Sequence, residues 1–197
     1  MANRRTEDHV TAGRDTKQAI LDAAVQLFVS KGFEQTSLRE IADAVGITKP
    51  SLYYHFSSKL ELLVAVINPL LDDLRALADE VEAMAAPDAE GRRTVLRTYI
   101  RAMIRHRDAG EMMVRNAVAI VNAVADQYPV IVDANKALRN WLAGPEPTPV
   151  RLLRASAAME ILTVALISNE VAPEAGDDVV ESTLLEAAIA ALQPDVR

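Results

Sequence analysis

From Asp15 to Lys31 the apolar residues Ile20, Leu21, Ala24, Leu27 and Phe28 fall on one stripe, the spacing of a helix with one buried face. Gly32 ends that pattern, and Phe33 just beyond it is placed to fold back on Phe28 as in a Schellman-type cap. A shorter stripe follows at i, i+3, i+4 and i+7: Leu38, Ile41, Ala42 and Val45. Ser37 with Glu40 predicts a capping box at its start, and Gly46 suits the left-handed position at its end, with Ile47 packing back. Thr48 then predicts the N-cap of a third helix, with Pro50 in the first turn, where a missing N–H costs little. In that helix only Leu52 and Phe56, four residues apart, are placed to reach a core. Lys49, Ser51, Tyr53, Tyr54 and His55 are left facing outward. Ser58 and Glu61 predict a second capping box, opening a long helix through Leu60, Leu63, Val64 and Ile67.

Asn68-Pro69 interrupts that long helix, yet the apolar pattern resumes through Leu70, Leu71, Leu74, Leu77, Ala78 and Val81. One kinked helix is therefore expected rather than two, and the proline is either a packing kink or a hinge. After a loop at 86–91, helices are expected near 92–107, 110–126, 130–143, 149–170 and 177–192. Their breaks are Asp108-Ala109-Gly110, Gln127-Tyr128-Pro129, Gly144 to Pro149 and Ala172 to Gly176. Hairpin signals and strand-like alternation are missing. The expected fold is all-α: an N-terminal three-helix helix-turn-helix unit followed by a helical bundle. The division expected is a flexible arm at 1–13, the helix-turn-helix domain at 14–62 and a second domain at 63–197.

Two short capped helices joined by a glycine turn, the second with polar and aromatic residues outward, have the layout that places a helix in the DNA major groove. The net charge of −7 looks wrong for that task until it is divided. Residues 1–56 hold seven Lys/Arg and seven Asp/Glu, so the acidic surplus lies beyond them. Between Ala44 and Leu60 there are two lysines, one histidine and no acid. Arg4 and Arg5 belong either to a minor-groove arm or to an idle tail.

The remaining chemistry is a set of exclusions. The chain has no cysteine, which removes disulfides and thiol chemistry. No apolar run reaches the length of a membrane span, and the first residues lack the apolar segment of a signal peptide, so a cytoplasmic protein is expected. The three histidines are scattered, no phosphate-binding glycine loop or Gly-x-Ser-x-Gly elbow occurs, and neither catalytic residues, metal nor cofactor are expected. A helical protein–protein adaptor fits the apolar helices but leaves Tyr53, Tyr54 and Lys49 without a purpose.

Residues 14 to about 62 resemble the DNA-binding domain of the TetR family of bacterial transcriptional regulators. The match rests on Ile20-Leu21-Asp22-Ala23-Ala24, Phe28, Lys31-Gly32-Phe33, Thr36-Ser37, Ile41-Ala42, Gly46-Ile47, Leu52 to Phe56 and Ser58 to Leu62. The resemblance implies base or adjacent backbone contacts from Lys49, Ser51 and Tyr53. It implies phosphate contacts from Thr36, Ser37, Thr48, Tyr54, His55 and Lys59, with Arg39 reaching the backbone from the second helix. It also implies a homodimer on a palindromic operator, and a small-molecule effector that releases a repressor from DNA; the alternative is a regulator with no effector.

For the second domain the sequence leaves choices open. The stripe Leu152, Ala155, Ser156, Met159, Leu162, Thr163 and Leu166, and the stripe Val180, Leu184, Leu185, Ala188, Ile189 and Leu192, fit either the domain's own core or a dimer interface; the resemblance favours the interface. Arg115, Asn116 and Asn122 lie in an almost wholly apolar run and need partners, from the protein or from a ligand. Tyr99, Met103, His106, Met113, Tyr128 and Trp141 are further candidates for effector contact, or plain core. Walls of this kind favour a hydrophobic or amphipathic ligand.

Overall fold

The computed structural model describes residues 3–115 and 130–193. The described residues are helical, with no strand among them, and none of their helices is long and apolar enough to cross a membrane. They fall into two compact units: one runs over the described residues as far as Asn68 and takes in Arg115, the other runs from Pro69 to Val114 and over the described residues from Val130 onward. The division comes later than residue 62, at the proline.

The first unit holds α1 (Asn3–Lys31), α2 (Leu38–Val45), α3 (Lys49–His55) and the start of α4 (Lys59–Ala83). Its core is made by Ile20, Ala24, Phe28, Ile41, Leu52, Phe56, Leu62, Leu63 and Ile67, all buried. Phe33 returns to Phe28 as expected, edge to face with ring centroids 5.3 Å apart, while Gly32 takes a φ of 91° that a side chain would strain. Helix α1 begins at Asn3, taking in residues assigned above to an arm; Arg4, Arg5 and Glu7 are good helix formers and no proline stands in the way.

The second unit holds the rest of α4, α5 (Ala89–Arg105), α6 (Arg107–Arg115), α7 (Val130–Ala143), α8 (Pro149–Thr163), a 3₁₀ turn at Val164–Ile167, α9 (Ser168–Val171) and α10 (Asp177–Leu192). Helix α10 packs on α8 and α5, and α7 packs on α8. One apolar core joins Leu74, Leu77, Leu96, Ile100, Met103, Leu138, Leu142, Leu162, Leu166 and Leu185.

Boundaries differ from expectation where side chains decide them. Asp88 caps α5, accepting from the Gly91 N–H at 2.7 Å, so the helix starts at Ala89 rather than 92. The expected break at Asp108-Ala109-Gly110 instead falls at His106, and Gly110 lies inside α6. That glycine serves a close approach rather than a turn, because a Cβ there would sit 2.8 Å from Leu166 Cγ. Helix α8 stops at Thr163, not 170; the Thr163 hydroxyl donates to Glu160 O (2.7 Å) and the Ser168 hydroxyl to Ala165 O (2.9 Å), competing with helical bonding. The expected helix at 110–126 lies outside the described residues from Asn116 onward.

Within the single chain the two stripes expected at a dimer interface lie mostly inward. Ala155, Met159, Leu162, Leu166, Leu185 and Ala188 are buried in the unit's own core, and Leu152, Leu184 and Ile189 pack against it from the side. A single apolar stripe satisfies a core first, and here the core takes it.

Candidate nucleic-acid interface

Helix α3 is short, and its two ends are fixed by local chemistry. The Thr48 hydroxyl accepts from the Ser51 N–H (3.3 Å), Pro50 fills the first turn, and the Phe56 N–H closes the last turn on Leu52 O (2.9 Å). Leu52 and Phe56, both buried, hold one side of the helix to the core. The opposite side is left to solvent. Tyr54 is 87 % exposed and Tyr53 44 %, values far from what core tyrosines show. The Lys49 ammonium stands over the Tyr53 ring, 5.6 Å from its centroid, and His55 meets the Tyr54 ring edge-on at 5.3 Å. The helix thus presents a cation, two phenols, an imidazole and the Ser51 hydroxyl on a rigid, capped support.

Helix α2 supports α3 from behind. Its capping box forms as predicted: the Glu40 N–H donates to Ser37 Oγ (3.2 Å), and the Ser37 N–H donates to Glu40 Oε2 (2.9 Å). The Lys31 ammonium reaches the same carboxylate at 2.7 Å, tying the end of α1 to the start of α2. Its hydrogen bond, with those from Ser37, holds the Glu40 carboxyl down at about 2. Gly46 takes φ 74°, the left-handed turn that lets α3 leave α2 at an angle.

Two of the predicted contacts turn inward. Thr36 is only 2 % exposed, and its hydroxyl is directed at Gly32 O (2.8 Å) and Leu27 O (3.2 Å), so it caps the end of α1. Lys59 donates to Phe33 O (2.8 Å) and Glu34 O (3.1 Å). The Thr36 hydroxyl is committed inward, while the Lys59 ammonium commits two of its three N–H donors. Ser37 is exposed, but its hydroxyl is engaged with Glu40. Arg39 is exposed, with only a loose partner in Asp43 at 3.8 Å. The predicted box at Ser58 and Glu61 forms by half: the Glu61 N–H donates to Ser58 Oγ, while the Glu61 carboxylate goes to the N–H and hydroxyl of Ser57.

A model of the bacterial regulatory proteins of the tetR family matches residues 20–66, a span that contains this whole arrangement from the first buried residue of α1. Residues 20–66 are a tetR-family DNA-binding domain. The chain is 47% identical over 62 residues to the transcriptional activator FasR of Mycolicibacterium smegmatis, covering 31% of this chain and 28% of FasR. It is 42% identical over 72 residues to the transcriptional repressor KstR2 of Rhodococcus jostii, covering 36% of this chain and 34% of KstR2. The chain thus spans about a third of these relatives' own length. A solved complex of SmeT with triclosan has the same fold, with a TM-score of 0.62 at 21% identity over 90% of this chain and 91% of that chain.

The remaining TetR-family expectations concern the second unit. Tyr99 and Met103 are built into its core, burial pushing the Tyr99 phenol up, and Met113 packs against the same core. Trp141 packs on that core and donates to Ala85 O (3.2 Å), fastening the loop before α5. His106 faces Asp73 Oδ2 at 3.0 Å, beside Arg105 at 2.7 Å from the same oxygen. The Arg115 side chain, Asn116, Asn122 and Tyr128 lie outside the described residues. A groove among the described residues is lined by Asp73, Ala76, Leu77, Glu80, Arg101, Ala102 and Arg105, charged and aliphatic in equal measure.

Sequence reasoning missed one surface. Val150 (59 % exposed), Leu153 (70 %), Ala157 and Val164 form an outward stripe along α8 and into the turn after it, and Val179, Thr183 and Ala190 are exposed on α10. The signal was present: α8 carries apolar residues on two faces, and a helix apolar on both sides has two things to cover.

Proposed function

We propose that the protein is a homodimeric, sequence-specific DNA-binding repressor whose release from a palindromic operator is driven by a hydrophobic or amphipathic small molecule. The observation that carries the reading is α3, anchored by Leu52 and Phe56 and offering Lys49, Ser51, Tyr53, Tyr54 and His55 to solvent. Lys49, Ser51 and Tyr53 meet base edges or the adjacent backbone, while Arg39, Ser37, Thr48, Tyr54 and His55 bear on phosphates. One seven-residue helix buries little, so two copies on symmetric half-sites supply the specificity. The outward face of α8 and α10 is the surface for a second copy: it is apolar and small-residued, and the inner stripes are already used. Repression follows KstR2 in name, and effector release is supported by the triclosan-bound relative of the same fold. The second unit, from Pro69 onward, is the effector-binding and dimerisation part, and the cytoplasm is where DNA and effector meet.

Fluorescence anisotropy on DNA flanking the gene, against scrambled DNA at two salt concentrations, tests the reading. Tight binding to the flanking DNA alone, lost in Lys49→Ala and Tyr53→Ala, is the expected result. Equal, weak binding to both DNAs, indifferent to these variants, overturns it.

A further inference from the structure

Lys17 lies on α1, outside the helix pair α2 and α3, and its side chain is exposed. Its ammonium stands over the Phe56 ring, 5.6 Å from the centroid. Phe56 is buried and caps the C-terminal end of α3, directly after Tyr54 and His55, so α1 sets a cation beside the end of the exposed helix. Lys49 rests on the Tyr53 ring at the same distance, 5.6 Å, and it is the first residue of α3. Each end of that helix therefore has a ring-seated lysine. A ring face attracts an ammonium without taking a particular N–H, which leaves the donors open to an anion. Among the described residues the Lys17 ammonium has no hydrogen-bond or ion-pair partner, unlike Lys31, which is held by Glu40. One acid is within electrostatic reach: Glu61, whose carboxyl is lowered first by hydrogen bonds from Ser57 and last by the charge of Lys17. Its Oε2 accepts from the Ser57 N–H (2.7 Å) and hydroxyl (2.6 Å), so that carboxylate serves the start of α4.

We propose that Lys17 is a phosphate contact supplied by α1: seated on the Phe56 ring, it grips the DNA backbone beside the C-terminal end of α3, while Lys49 works at the other end. The proposal rests on the DNA-binding reading. A phosphate is the same under every base, so Lys17 contributes affinity and register and not the choice of sequence. The alternative role is a purely internal one, in which the cation only covers the Phe56 ring. The two differ in what DNA reports. Losing a phosphate contact weakens binding to every sequence alike and lowers the salt slope by about 0.9, whereas losing a ring cover leaves both untouched.

The test compares wild type, Lys17→Met and Lys17→Arg on the preferred duplex and on scrambled DNA, over a salt series, with folding checked by circular dichroism. Methionine keeps an apolar stem against the Phe56 ring and removes the charge. The expected result for Lys17→Met is a loss of about five- to tenfold on both duplexes at about 0.1 M salt, with a salt slope smaller by about 0.9. Lys17→Arg should stay within about twofold of wild type, since it restores the charge. Lys136→Met, which removes an exposed lysine from α7, controls for the loss of one charge and should change neither quantity. Unchanged binding by Lys17→Met, whatever its melting temperature, would confine Lys17 to the ring and overturns the proposal. A loss limited to the preferred duplex, or an equal loss in Lys136→Met, overturns it too. Were Lys17→Met not to fold, Lys17→Gln is read by the same quantities. Wild-type protein that prefers no duplex defeats the DNA-binding reading itself, a different result from any of these.

Discussion

Side chains in the first unit do local work before they do any recognition. Glu40 shows the order of events: its carboxylate caps α2, receives Lys31, and is held at about 2 in consequence. A depressed folded value means that the stabilisation is fully present above the ordinary 4.5 and is lost as pH falls from there toward 2. The difference in melting temperature between wild type and Glu40→Gln should therefore be constant near neutrality and shrink steadily below pH 4.5; a difference independent of pH would remove the link. Caps of this kind were legible in the sequence, because they are set by residues three positions apart. Inward commitments were not. Thr36 and Lys59 look like any other polar residue of a binding surface until the carbonyls of Leu27, Gly32, Phe33 and Glu34 are brought beside them by the fold.

At the scale of elements, the helices of the first unit follow their periodicity closely, and those of the second follow it with shifted ends. The break before α6 was misplaced because Gly110 reads as a turn signal, whereas its missing side chain makes room for Leu166. Gly110→Ala should overpack that contact and cost about 1–3 kcal/mol, lowering the melting temperature by several degrees. An unchanged or raised melting temperature would show that Leu166 can move aside. Leu52→Ala, which empties a fully buried site under α3, should cost about 2–5 kcal/mol and abolish DNA binding together with the fold of its unit, whereas Tyr53→Ala should leave stability within about 0.5 kcal/mol. Thermal unfolding of the two variants separates the anchor from the exposed face; equal losses would deny α3 its two-sided character.

For the whole molecule, the surface proposed for pairing was the least legible part. An apolar stripe in a sequence states that something covers it and not what; the stripes of Leu162 and Leu185 turned out to cover each other within one chain, leaving Val150, Leu153 and Val179 outside. Leu153→Asp should accordingly give a folded monomer by sedimentation, with a normal helical spectrum, while Leu162→Asp should fail to fold. A Leu153→Asp protein that still dimerises would move the interface elsewhere. Two recognition helices related by a two-fold axis must read two half-sites, and this is the claim on which the functional account depends. Selection of duplexes from a random pool by the wild-type protein tests it most directly. The account predicts enrichment of one motif with two-fold symmetry, its half-site centres about one helical turn apart, roughly 34–36 Å. A selected pool with no shared sequence, or a motif without symmetry, would contradict it.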